Sequence, residues 1–103
     1  MPRTLTSYVL STPTPHTQLN TGGGNAVQTL ALDPRCAALL LSARTANVFL
    51  TFDNSTPAAT NGLEIVSGAQ PVLIPVGYYA HVNHSLKIIG AAINAVLNVV
   101  QMA

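Results

Sequence analysis

Asn47-Val48-Phe49-Leu50-Thr51-Phe52 runs directly into Asp53-Asn54-Ser55-Thr56-Pro57-Ala58-Ala59-Thr60-Asn61-Gly62. The first part is rich in β-branched and aromatic residues, which fit a pleated, half-buried surface. Val48, Leu50 and Phe52 fall on one face of a strand, and Asn47, Phe49 and Thr51 on the other. The second part is built from side chains that hydrogen-bond their own backbone or tolerate positive φ. The stretch therefore dictates a strand running into a long, structured turn, and the fold is read outward from it.

Toward the C-terminus the same grammar repeats. Leu63-Glu64-Ile65-Val66 resumes the strand pattern, and Ser67-Gly68-Ala69-Gln70-Pro71 is a turn. Val72, Ile74 and Val76 then alternate with Leu73 and Pro75, and the proline points to an edge strand or a bulge. Tyr78-Tyr79-Ala80-His81-Val82 reads as a further short strand, Asn83-His84 as a turn, and Leu86-Lys87-Ile88-Ile89 as another strand. Over residues 89–101 two periods compete. Ile89, Ala92, Ile93, Val96 and Val100 fit a helical stripe, while Ile93, Ala95, Leu97 and Val99 alternate as in a strand. Ile, Val and Asn are weak helix formers, and no N-cap followed by Glu or Gln opens the segment, so a strand is expected.

Toward the N-terminus, residues 37–42 form a short apolar run. Ahead of Arg35 the composition changes. Ser11-Thr12-Pro13-Thr14-Pro15-His16-Thr17 is Pro/Thr-rich, and Thr21-Gly22-Gly23-Gly24-Asn25 is a break. Residues 1–34 are read as an extended N-terminal arm with weak strands near Leu5–Leu10 and Val27–Leu32, and residues 35–103 as the core. The expected fold class is all-β: one small β-sandwich or jelly-roll-like domain of seven or eight short strands.

Composition limits the function. The chain has 103 residues, 49% hydrophobic and 7% charged, with a net charge of +1. Ordinary domains carry roughly 25% charged residues. A disordered solvating chain and a basic nucleic-acid binder are both excluded by these values. The polar coat comes from 11 Thr, 8 Asn, 6 Ser and 4 Gln, and so little charge favours association. No run reaches 18 apolar residues, and Met1-Pro2-Arg3-Thr4-Leu5-Thr6 lacks a signal-peptide core, so neither a membrane span nor a leader is expected. The lone Cys36 cannot form an internal disulfide and reads as a small buried hydrophobe. A domain of this size with no disulfide gains stability most naturally by oligomerising.

No constellation argues for catalysis. His81 and His84 lie three residues apart, but in a strand or turn they face opposite ways, and His16 and Cys36 are remote in sequence. Ser85, His84 and Asp53 supply the residue types of a hydrolytic triad without a nucleophile elbow. Gly22-Gly23-Gly24 lacks the lysine and hydroxyl of a phosphate loop. No catalytic residue, metal site or cofactor is expected. Candidate interface residues are Arg35 and Arg44, which flank the apolar run, and Tyr78 and Tyr79. The same tyrosines are the aromatics available to an alternative, a carbohydrate-binding β-sandwich module.

The block from Asn47 to Gly62 resembles a strand-plus-turn pattern of small virion proteins of tailed bacteriophages. There an aromatic and β-branched strand runs into Asp-Gly-Ser-Thr-Pro-Ser-x-Thr-Asn-Gly. Leu86–Ala92 and Ala95–Gln101 are similar to the closing strands of those proteins, so the likeness spans roughly residues 36–101. This chain has Asn54 where Gly is common and Ala58 where Ser is common. The resemblance implies a non-enzymatic structural protein located in the virion and assembled in the host cytoplasm. It implies a capsid decoration (cement) protein or a neck or tail component. The expected partners are the major capsid protein or other virion proteins, together with further copies of the chain, a trimer being one arrangement. Nucleic acid and membrane are not expected partners.

Overall fold

The structure is a computed structural model that describes residues 16–82 and 84–102. Its strands are β1 (His16–Asn20), β2 (Gln28–Ala31), β3 (Ala38–Arg44), β4 (Val48–Thr51), β5 (Leu63–Ile65), β6 (Val72–Pro75), β7 (Ser85–Gly90) and β8 (Val96–Met102). A single helical turn, α1 (Gly77–His81), lies between β6 and β7. The strands form two antiparallel sheets, ordered β1-β8-β3-β6 and β2-β7-β4-β5. The pairs β1·β8, β2·β7, β3·β6 and β4·β5 are nested, as in one long hairpin. That hairpin is rolled so that β8 meets β3 and β7 meets β4, which is the jelly-roll topology.

Strand alternation explains the core. Leu39 and Leu41 on β3 face inward beside Leu97 and Val99 on β8. Facing them from the other sheet are Val48 and Leu50 on β4 and Leu86 and Ile88 on its neighbour β7, and all of these side chains are buried. Leu32, Cys36, Val76, Ala80 and Ala95 close the core from the loops. Pro75 lies on β6, an edge strand, as its missing N–H requires. Residues 89–101 divide into the end of β7, a turn around Asn94, where φ is 57°, and the strand β8.

Two expectations change. Residues 78–82 are not a strand. The Val76 N–H donates to the Ala37 carbonyl, and the Ala80 N–H donates to the Val76 carbonyl at 3.0 Å. That helical turn brings Ala80 into the core with no exposure, and the strand propensity of the tyrosines yields to it. The side chains of Tyr78 and Tyr79 lie outside what the structure describes. The division at residues 34 and 35 also runs through paired structure. β1 pairs with β8 along its whole length, and β2, inside the expected Val27–Leu32 segment, pairs with β7. The expected strand near Leu5–Leu10 lies outside the described residues.

Strand direction sends loops 21–27, 45–47, 66–71 and 91–95 to one end, and loops 32–37, 52–62 and 76–84 to the other. Side-chain amides tie the first group together. Asn25 Oδ1 accepts the Gly90 N–H, and Asn25 Nδ2 donates to the Gly90 carbonyl. Asn47 Oδ1 accepts the Ser67 N–H at 2.9 Å. Buried Thr21 Oγ1 accepts the Ala95 N–H at 3.1 Å.

Candidate interaction surfaces

The long turn from Asp53 to Gly62 is internally hydrogen-bonded. Asp53 Oδ1 accepts from the Ser55 N–H at 3.1 Å and from Ser55 Oγ. Those bonds, chiefly the side-chain one, hold the Asp53 carboxyl below the usual carboxylate range, and nearby His84 adds to the effect. Asn61 Nδ2 donates to Ser55 Oγ and to the Thr56 carbonyl. Asn54 adopts φ 67°, a left-handed conformation that Asn tolerates and Gly favours. Its Oδ1 accepts the Ser85 N–H at 3.0 Å, and its carbonyl accepts from Lys87 Nζ at 3.2 Å. Gly62 has φ 116°, and a Cβ there would lie 2.4 Å from the Leu50 carbonyl oxygen. An open hollow of about 230 Å³ is lined here by Leu50, Thr51, Phe52, Asp53, Ser55, Asn61, Gly62 and Leu63. Asp53, Ser55 and Asn61 bond to one another across this hollow, and Asn54 ties the turn to β7.

The candidate residues do not form one patch. Arg35 sits in the β2–β3 loop, where its backbone N–H donates to Asp33 Oδ1 at 2.8 Å and its Nε lies 3.4 Å from the same oxygen. That backbone bond first, and the guanidinium second, lowers the Asp33 carboxyl. Arg44 is exposed at the opposite end of β3. The backbone of Tyr78 and Tyr79 lies in α1, at the Arg35 end. Structure does bring His84 near Asp53, the pair considered with Ser85 above, and Asp53 Oδ1 accepts from Ser55. Among the described residues no group of three or more His, Cys, Asp or Glu side chains could hold a metal ion. Cys36 is buried, its thiol donates to the Ala38 carbonyl at 3.2 Å, and burial pushes its pKa up.

What sequence reading missed is the outer face of the β1-β8-β3-β6 sheet. Antiparallel sandwiches ordinarily turn a polar face to water. Here one cross-strand row is His16, Val100, Leu40 and Leu73, and the next is Met102, Ala38 and Pro75. A third is Gln18, Asn98 and Ser42, and a fourth is Asn20, Val96 and Arg44. Arg44, at the rim, is the only Lys, Arg, Asp or Glu in these rows. Leu73 is 45% exposed, and Leu40, Val96, Val100 and Met102 are half-buried. On the other sheet the outward rows include Glu64 and Lys87. Val27, Val66 and Ile93 add exposed apolar tips at the four-loop end. The consecutive apolar residues of β3, Ala38 to Leu41, and of β8, Val99 and Val100, are the signal that carried this face, since such runs put apolar side chains on both sides of the sheet.

Comparison with protein-family models, with curated proteins and with solved structures finds no match to this chain. Fold and surface therefore define the class: an eight-stranded jelly roll with one sheet face that is nearly free of charge. Among the described residues no helix is long and apolar enough to cross a membrane.

Proposed function

We propose that this chain is a non-enzymatic virion structural protein, a capsid decoration (cement) protein that works by contact with protein neighbours. The observation that carries the reading is the nearly uncharged outer face of the β1-β8-β3-β6 sheet. Interface cores are depleted in charge and enriched in apolar side chains, and this face has that composition without a reactive group. The jelly roll recurs in viral capsid domains, although it serves lectins and other proteins as well. The turn from Asp53 to Gly62, whose phage-like sequence is accounted for by its internal bonds and by the positive φ of Asn54 and Gly62, adds support. Many weak, identical contacts on a shell sum to a firm attachment. The partners in this reading are the major capsid protein and further copies of the chain, within a virion assembled in the host cytoplasm.

The test is localisation in purified particles by cryo-electron microscopy. Density for the jelly roll across the joints between capsid subunits is expected. Density confined to the neck or tail selects the connector alternative, and absence from particles rejects both.

A further inference from the structure

The sandwich has four sheet edges, and the backbone distinguishes them. In an antiparallel ladder, alternate residues aim both N–H and C=O at one neighbour. The Val76 N–H donates to the Ala37 carbonyl, and the Gly68 N–H to the Ala43 carbonyl, so Leu39, Leu41 and Ala43 face β6, while Ala37, just ahead of β3, turns only its carbonyl that way and donates its N–H to the Met102 carbonyl. Val72, Ile74 and Val76 therefore face β3, and Pro71, Leu73 and Pro75 face outward. Two of those three positions have no N–H, so the β6 edge is blocked against strand addition. β5 is three residues long and carries Glu64 at its centre. On the far flank the Thr21 N–H donates to the Ala95 carbonyl, so Thr17, Leu19 and Thr21 face β8. His16, Gln18 and Asn20 consequently aim their main-chain groups away from the sheet. The same argument from Gly90, which Asn25 bonds at both its N–H and its C=O, leaves only Thr29 and Ala31 outward on β2.

Among the described residues the β1 edge is thus the longest open one. It has no proline between His16 and Asn20, no Lys, Arg, Asp or Glu, and exposed side chains at His16, Gln18 and Asn20. An open hollow of about 370 Å³ lies beside it, lined by His16, Thr17, Gln18, Asn98, Val99 and Val100.

We propose that the β1 edge pairs with the β1 edge of a second copy of this chain, antiparallel, about a two-fold axis at Gln18. In that register Gln18 meets Gln18 of the other copy, and His16 meets Asn20. Every outward N–H and C=O of the strand then has a mate. Identical edges place like beside like at the axis, so a self-pairing strand must be uncharged there. β1 meets that condition, whereas β5 would set Glu64 near its own copy. The two outer faces become one continuous sheet surface, polar but uncharged at the β1 seam and with Arg44 as the one Lys, Arg, Asp or Glu in the rows of each copy. The inference rests on the assembly reading above only in taking the partner to be protein, and it is tested on the purified chain without any virion.

Gln18→Cys supplies the direct test. Hydrogen-bonded antiparallel partners have Cα atoms about 5.5 Å apart, within reach of a disulfide. Mild oxidation of Gln18→Cys should give a covalent dimer, whereas wild type, whose Cys36 is 1% exposed, and Thr29→Cys should not. Gln18→Pro removes an N–H that the β1·β8 ladder does not use. It should shift the sedimenting species from dimer to monomer with an unchanged far-ultraviolet spectrum. Gln18→Lys, which keeps the N–H and places like charges at the axis, should do the same if the proline variant fails to fold. A wild-type chain that stays monomeric at high concentration overturns the proposal. So does a Gln18→Pro or Gln18→Lys protein that still dimerises. A chain that dimerises only after residues 1–15 are removed also overturns it, because its own segment then covers the edge. Presence in or absence from virions moves none of these results.

Discussion

Asn25 offers the sharpest test of how the loops hold the sandwich closed. Its side chain stands where a strand residue would pair with Gly90, accepting that residue's N–H and donating to its C=O, each at 2.9 Å. The backbone at Asn25 is left-handed, with φ 48°. Asn25→Gly tolerates that φ, so it removes the two hydrogen bonds alone. A neutral hydrogen bond contributes about 0.5–1.5 kcal/mol net, and a buried partner left unpaired costs about 1–3 kcal/mol. Gly90 is buried but sits near the surface loops, so part of that cost is relieved by water. The expected loss is about 2–3 kcal/mol. For a domain of this size that lowers the melting temperature by roughly 10–20 °C. Asn25→Ala should lose about 1 kcal/mol more, since alanine resists positive φ. Urea titration followed by circular dichroism reads both, with an unchanged m value marking a true stability effect. An Asn25→Gly protein within about 0.5 kcal/mol of wild type, the range of an ordinary surface substitution, would refute the reasoning.

Other perturbations separate steric from conformational effects. Gly62 and Gly68 both have positive φ, but only Gly62 has a neighbour, the Leu50 carbonyl, in the way of a Cβ. Gly68→Ala should cost about 1 kcal/mol, and Gly62→Ala at least about 2–3 kcal/mol, by thermal melting; equal losses would contradict the geometry. Thr45 holds φ 73° in the turn closed by the Ala46 N–H on the Arg44 carbonyl, a conformation unfavourable for a β-branched residue. Thr45→Gly should therefore stabilise the protein, by about 1 kcal/mol, and a loss of stability in urea would show that the turn is not strained. Asp33 and Asp53 have carboxyls lowered by their hydrogen bonds. Their contribution is present above the unfolded value of about 3.9 and is lost as pH falls through the lower folded values. An acid titration of stability should slope downward below about pH 4, and the slope should shrink in Asp33→Asn and Asp53→Asn proteins.

Strand positions with unambiguous chemistry were legible. The aromatic and β-branched run at 48–51, the proline at 75 and the turn at 53–62 each carry a local instruction that packing obeys. β1 was not, because His16–Asn20 is polar at alternate positions and sits between proline-rich and glycine-rich stretches. Its strand exists because β8 offers five partners. α1 was missed for the opposite reason: tyrosine favours a strand locally, but the chain must turn there to bury Ala80. Arg35 and Arg44 flank one apolar run in the sequence, and the fold sends them to opposite ends. The nearly uncharged outer face depends on which residues share a row across strands, and a single strand's sequence does not contain that pairing.

Quantitative mass spectrometry of purified particles against the major capsid protein tests the central claim most directly. The account predicts this polypeptide in the particle at a copy number comparable with that of the shell protein. Its absence from intact, washed particles would contradict the account.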